Sequence, residues 1–125
     1  MALILPIAAG GAIGAVARYA MSGYMLRCAG AGFPYGTLAV NLLGSLLIGL
    51  LAGYFMREGI EAKPVIQAFL ITGVLGGFTT FSAFSLETLS MINRGDMLPA
   101  LTYVGLSVIL ALGACALGFM LVKAL

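Results

Sequence analysis

Charge is almost absent from this chain. Six Lys or Arg and four Asp or Glu make up 8% of 125 residues, against 62% hydrophobic, whereas a soluble domain carries roughly a quarter charged residues. The ten are Arg18, Arg27, Arg57, Lys63, Arg94, Lys123, Glu58, Glu61, Glu87 and Asp96. They punctuate long apolar blocks and are too few to build a water-facing surface. A membrane span takes about 20 mostly apolar residues, so four would use about 80 and leave little beyond short loops. The fold class is all-α: an integral membrane bundle of four transmembrane helices, with residues 1–125 forming one transmembrane domain.

The same composition removes most chemistry. Without His, imidazole metal sites and His-based acid–base catalysis are excluded. Cys28 and Cys115 are far apart and lack metal-site spacing. No Gly-Lys-Ser/Thr loop is present to hold nucleotide phosphates. A net charge of +2, scattered along the chain, does not fit a nucleic-acid partner. An enzyme is not expected. The N-terminus has no basic stretch ahead of its apolar run, so it reads as a first span and not as a cleaved signal.

Punctuation places the helices at about 2–25, 37–56, 65–92 and 97–122. Gly30, Gly32 and Pro34 break the first block from the second. The polar run Arg57 to Lys63 ends the second, and Pro64 suits the opening turn of the third, where its missing N–H is no loss. Asp96 is a candidate N-cap for the fourth. The third block, Val65 to Ile92, is too long for a simple span: 28 residues give about 42 Å at about 1.5 Å per residue, against a core of about 30 Å. Its middle reads Gly73-Val74-Leu75-Gly76-Gly77-Phe78-Thr79-Thr80, a weak helix sequence, so a break near 76–79 is expected. Backbone carbonyls released there are tolerated only against protein or a cavity, where they can bind a cation.

Two features point to assembly. Small residues recur at four-residue spacing (Gly10 with Gly14, Gly11 with Ala15, Gly49 with Gly53, Gly73 with Gly77, Ala114 with Gly118), which permits close helix approach in lipid. With four spans, one side carries Arg57, Lys63 and Lys123 and the other Arg27 and Arg94. That is a poor bias under the positive-inside rule, and a chain so balanced can insert both ways and pair antiparallel.

Polar groups inside a bilayer are costly, so each is a functional candidate. Thr37, Asn41 and Ser45 share a stripe of the second helix, suited to interhelical bonding or to an amide donor on a pathway. In Thr79-Thr80-Phe81-Ser82-Ala83-Phe84-Ser85-Leu86-Glu87-Thr88, hydroxyls alternate with two phenylalanines. Ring edges are electropositive, so together with hydroxyl donors they make an anion environment without a full charge, and weak multiple contacts let an ion leave. Tyr103 and Ser107 would extend this track on the fourth helix. Arg18 would snorkel, bond backbone carbonyls or attract anions to a vestibule. Glu87 is expected at the interface or paired with Arg18 or Arg94.

Gly10-Gly11-Ala12-Ile13-Gly14-Ala15-Val16-Ala17-Arg18-Tyr19, Gly36-Thr37-Leu38-Ala39-Val40-Asn41 and Gly73 through Ser85 together resemble the small bacterial fluoride channels of the CrcB/Fluc type. The likeness covers the whole chain in length, span number and motif order. Ala83 departs from the family's usual Thr. The resemblance implies an antiparallel dual-topology homodimer in the bacterial cytoplasmic (inner) membrane, with two fluoride pores and a sodium ion at the centre of the interface. It implies that Gly76 and Thr79 give backbone carbonyls to sodium, and that Asn41 donates to fluoride. Phe81 and Phe84 would offer ring edges, Ser82, Ser85 and Tyr103 polar contacts, and Arg18 would sit near the vestibule. The implied task is passive exit of fluoride from the cytoplasm. A four-helix proton-coupled exporter of cationic compounds is the rival reading, but its pattern has an acid in the first span and Trp contacts, both missing here. A purely structural subunit is a second rival.

Overall fold

A chain that must satisfy its backbone without water has little choice but helix. The computed structural model describes residues 2–57 and 63–125, so Glu58 and Glu61 lie outside the described residues. The described residues are helical apart from short connections. They form α1 (Ile4–Ala29), α2 (Tyr35–Phe55), α3 (Pro64–Gln67), a π-helical stretch (Ala68–Leu75), α4 (Gly76–Phe78), α5 (Phe81–Asn93) and α6 (Met97–Lys123). Four helical stretches are long and apolar enough to cross a membrane: Ile4–Ala29, Tyr35–Phe55, Pro64–Asn93 and Met97–Lys123.

Helix α1 continues past Met25 to Ala29, because Arg27 in its last turn complements the helix dipole. Gly30, at φ 78°, ends it, with its N–H returned to Leu26 O. Pro64 occupies the first turn of α3. Asp96 stands at the N-cap of α6, but its side chain makes no cap bond there. Its Oδ2 instead accepts from Arg94 Nε at 3.2 Å.

Packing within the chain follows the glycines. Helix α1 lies against the third span: a Cβ at Gly10 would fall 2.5 Å from Phe69 O, and one at Gly14 would collide with Val74 O. From the opposite side, a Cβ at Gly77 would fall 2.5 Å from Gly11 O. Helices α2 and α6 meet in the same way, Gly49 against the Cys115 carbonyl and Gly118 against that of Leu46. The four-residue spacing of small residues was expected to serve assembly between copies. Gly10, Gly14, Gly49, Gly53, Gly73, Gly77 and Gly118 instead let helices of one chain touch backbone to backbone, so their spacing carries no argument for an oligomer.

The departure from helical geometry lies at the far edge of the expected 76–79 range and one residue beyond it. Gly76 is helical, at φ −63° and ψ −36°, and the two residues that leave helical geometry are Thr79 (φ −75°, ψ 156°) and Thr80 (φ −152°, ψ 117°). Gly73 and Gly77 are kept for close packing against α1, while Gly76 stays helical on the exposed surface. The β-branched pair, which pays least for extended backbone, takes the departure.

Candidate functional site

The extended residues are held from three sides. Asn41, on α2, turns its carboxamide onto Thr80: the Thr80 N–H donates to Asn41 Oδ1 at 2.8 Å, and Asn41 Nδ2 donates to the Thr80 carbonyl at 3.0 Å. Arg18, half-buried on α1, brings Nη1 to 3.4 Å from the Thr79 carbonyl, the backbone-bonding role among those expected for it. Local bonds finish the junction. Thr79 Oγ1 donates to Leu75 O at 2.9 Å, while Thr80 Oγ1 caps α5 by accepting from Ala83 N at 3.2 Å. A side-chain cap of this kind satisfies one of the donors a helix start leaves open.

About two turns further along lies a buried polar cluster. Glu87 on α5 accepts from Thr37 Oγ1 at 2.8 Å and from Tyr103 OH at 2.6 Å. This replaces the arginine pairing expected for Glu87: Arg94 bonds Asp96, and Arg18 reaches Thr79. Three elements supply the cluster, and no sequence spacing joins them. Tyr103 is fully buried, its ring 5.2 Å from Phe84 and 5.4 Å, edge-on, from Phe33. Tyr103→Phe strips one donor from a part-buried acceptor, which costs about 1–3 kcal/mol. It is expected to lower the unfolding temperature in detergent, and an unchanged temperature would show that Glu87 has another donor to hand.

Two clefts flank this part of the chain. One, of ≈ 620 Å³, runs past Tyr19, Phe33, Thr37, Glu87 and Arg94. The other, of ≈ 390 Å³, is lined by Asn41, Thr80, Phe81, Phe84 and Ser107 among others. Phe33 lines the first and Phe84 the second, and the Tyr103 ring packs against both of those rings.

Of the candidate anion-path residues, Asn41, Phe81, Phe84 and Ser107 line the second cleft, whereas Ser82, Ser85 and Tyr103 do not, and their donors are not equally free. Phe81, 78% exposed, packs on Phe84 with ring centroids 5.4 Å apart. Ser82 shares a 3.2 Å contact with Thr80 Oγ1. Ser85, on the exposed surface, donates back to Phe81 O at 2.9 Å, and the Tyr103 hydroxyl donates its hydrogen bond to Glu87 Oε2. Ser107 is 8% exposed, and among the described residues its Oγ is the buried side-chain polar atom with no hydrogen-bond partner. A hydroxyl left open in this way calls for a ligand, since an unpaired buried polar group costs about 1–3 kcal/mol. Gly76 is exposed on the chain surface, beside the junction.

Residues 5–119 match the family model described as CrcB-like protein, Camphor Resistance (CrcB). The chain belongs to the CrcB-like family. Curated relatives agree along nearly the full length. A Rhizobium meliloti protein named Fluoride-specific ion channel FluC is 48% identical over 122 residues, covering 98% of this chain and 97% of the relative. One of the same name from Erythrobacter litoralis is 49% identical over 123 residues, covering 95% and 90%. A third, Fluoride-specific ion channel FluC 1 from Nitrobacter hamburgensis, is 45% identical over 122 residues, covering 98% and 96%. The CrcB-like chain is thus a multi-pass membrane protein of a family whose curated members are channels and not enzymes. Glu87 and Thr37 are the functional candidates that the sequence reading left out of the anion path. Their signal was present in part, since Thr37 shares the Asn41 stripe and Glu87 follows Thr80 at i+7.

Proposed function

We propose that this protein is a fluoride-selective channel of the bacterial inner membrane. It works as an antiparallel dual-topology homodimer with two pores and lets fluoride leave the cytoplasm passively. The observation that carries the reading is the cleft at the helix junction, where the partnerless Ser107 hydroxyl, the Asn41 carboxamide and the Phe84 ring lie together. Fluoride is small and strongly hydrated, so a pore must offer several donors in place of water. Asn41 Nδ2 has two hydrogens and spends one on Thr80, which leaves one for an ion. A second copy completes the path: Phe81, Ser82 and Ser85 are exposed on α5, and an open polar face within a membrane span needs protein or water against it.

The residues also fit the sodium ion that the family resemblance implies at the interface. Backbone carbonyl oxygens suit a hard cation, and the departure from helix at Thr79 and Thr80 takes the Thr80 N–H away from the Gly76 carbonyl. The Thr79 carbonyl keeps a second lone pair beside the long Arg18 contact. Gly76 and Thr79 would hold the ion by their carbonyls. Bound there, it would neutralise those oxygens and tie two copies together. Arg18, a fixed positive charge beside the junction, draws anions toward it.

Purified protein in liposomes loaded with fluoride or chloride is the test. Fluoride efflux without chloride efflux is the expected result. Equal passage of both, or silence, would reject the reading, and proton-coupled uptake of organic cations would replace it with an exporter.

A further inference from the structure

In an unbroken α-helix the Thr80 N–H would bond the carbonyl of Gly76, four residues back. Here that N–H is taken by Asn41 Oδ1 at 2.8 Å, while the other half of the same carboxamide binds the Thr80 carbonyl at 3.0 Å. A primary amide has one acceptor and one donor group in the geometry of a peptide, so Asn41 stands in for the missing turn of helix. The neighbouring carbonyl, that of Thr79, faces the Arg18 guanidinium at 3.4 Å. Gly76 itself lies on the exposed surface of the chain, and beyond its own helical turn and chain neighbours the one atom near its Cα face is Ile71 O, 3.5 Å from where a Cβ would stand.

We infer that Asn41 is a positioning residue for the cation site: by capturing the Thr80 N–H, it keeps the Gly76 carbonyl out of the helix ladder and open to a sodium ion. The inference rests on the channel reading above and deepens it, because Asn41 also lines the anion cleft. One side chain then joins the two ion sites. Its Oδ1 holds the backbone that presents the cation ligand, and its spare Nδ2 hydrogen faces the anion path. Loss of Asn41 is therefore a loss at both sites, and the two losses separate by chemistry. Aspartate keeps the acceptor for Thr80 N–H and discards both donor hydrogens. Leucine discards everything.

The experiment measures the unfolding temperature of the purified full-length dimer across a sodium titration at constant ionic strength, with an organic cation as the replacement. Fluoride efflux is recorded from the same preparations. Wild type is expected to gain stability with sodium. Asn41→Leu is expected to raise the half-saturating sodium concentration by about tenfold or more, a change of one decade in apparent affinity. Asn41→Asp is expected to keep the wild-type midpoint while its fluoride efflux falls. An unaltered midpoint in Asn41→Leu overturns the inference and leaves Asn41 as an anion donor only. Should Asn41→Leu fail to fold, Asn41→Asp decides: a dimer that has lost its sodium response overturns the claim about the acceptor. A wild-type protein that conducts fluoride yet ignores sodium removes the cation site and this inference with it, while the channel reading survives.

Discussion

Phe84→Ile is expected to cut fluoride efflux from liposomes by about tenfold or more while leaving the protein folded and its oligomeric state unchanged. Phe84 lines the cleft beside Asn41 and Ser107, and its ring lies 5.2 Å from that of Tyr103 and 5.4 Å from that of Phe81. Isoleucine keeps most of the bulk and removes the electropositive ring edge. Contacts made by aromatic rings are worth on the order of 0.5–1.5 kcal/mol, and about 1.4 kcal/mol off the barrier is tenfold in rate. Phe81→Ile tests the second ring in the same assay. That ring is 78% exposed in the single chain, so in the homodimer proposed above its contribution would depend on the second copy. Undiminished efflux in both variants would take the rings out of the permeation mechanism and leave hydroxyls and the amide to do the work alone.

Gly14→Val is expected to have the largest effect on the folded protein. Its Cβ would collide with Val74 O and fall 2.7 Å from Phe78 N, both backbone atoms of the neighbouring span, which cannot swing aside as a side chain can. Overpacking typically costs about 1–3 kcal/mol, occasionally more, and a rigid backbone on both sides places this site at the upper end. Little folded protein should be recovered from membranes, and what is recovered should melt well below wild type. Gly113→Val is the control, because nothing lies within 4 Å of a Cβ there. Its expected effect is within about 0.5 kcal/mol, as for substitutions that meet no neighbour. Equal loss in both variants would mean that helix propensity, and not the approach of α1 to the third span, sets the cost.

The Gly14 contrast also shows why a four-residue spacing could be read in the sequence and its partner could not. Spacing is a property of one helix, whereas the surface that fills it belongs to another. Gly49 meets Cys115 and Gly10 meets Phe69, pairs separated by more than fifty positions, and both contacts stay within one chain. The same limit applied to Glu87. Its membrane burial marked it as a candidate, yet both arginines proposed for it bond elsewhere, and two hydroxyls from α2 and α6 take their place.

What the sequence by itself determined was the number and extent of the spans, the helix start at Pro64 and the identity of the polar residues worth attention. Lipid imposes these, since it leaves a backbone no partner but itself and penalises each polar side chain it buries. Tertiary structure alone decided where the third span leaves helical geometry and what holds it there. Weak propensity marked the whole run from Gly73 to Thr80, and within it Gly77 is needed as contact surface against Gly11 of α1. The extended pair therefore falls at Thr79 and Thr80, where Asn41 and Arg18 from two other helices reach the freed backbone.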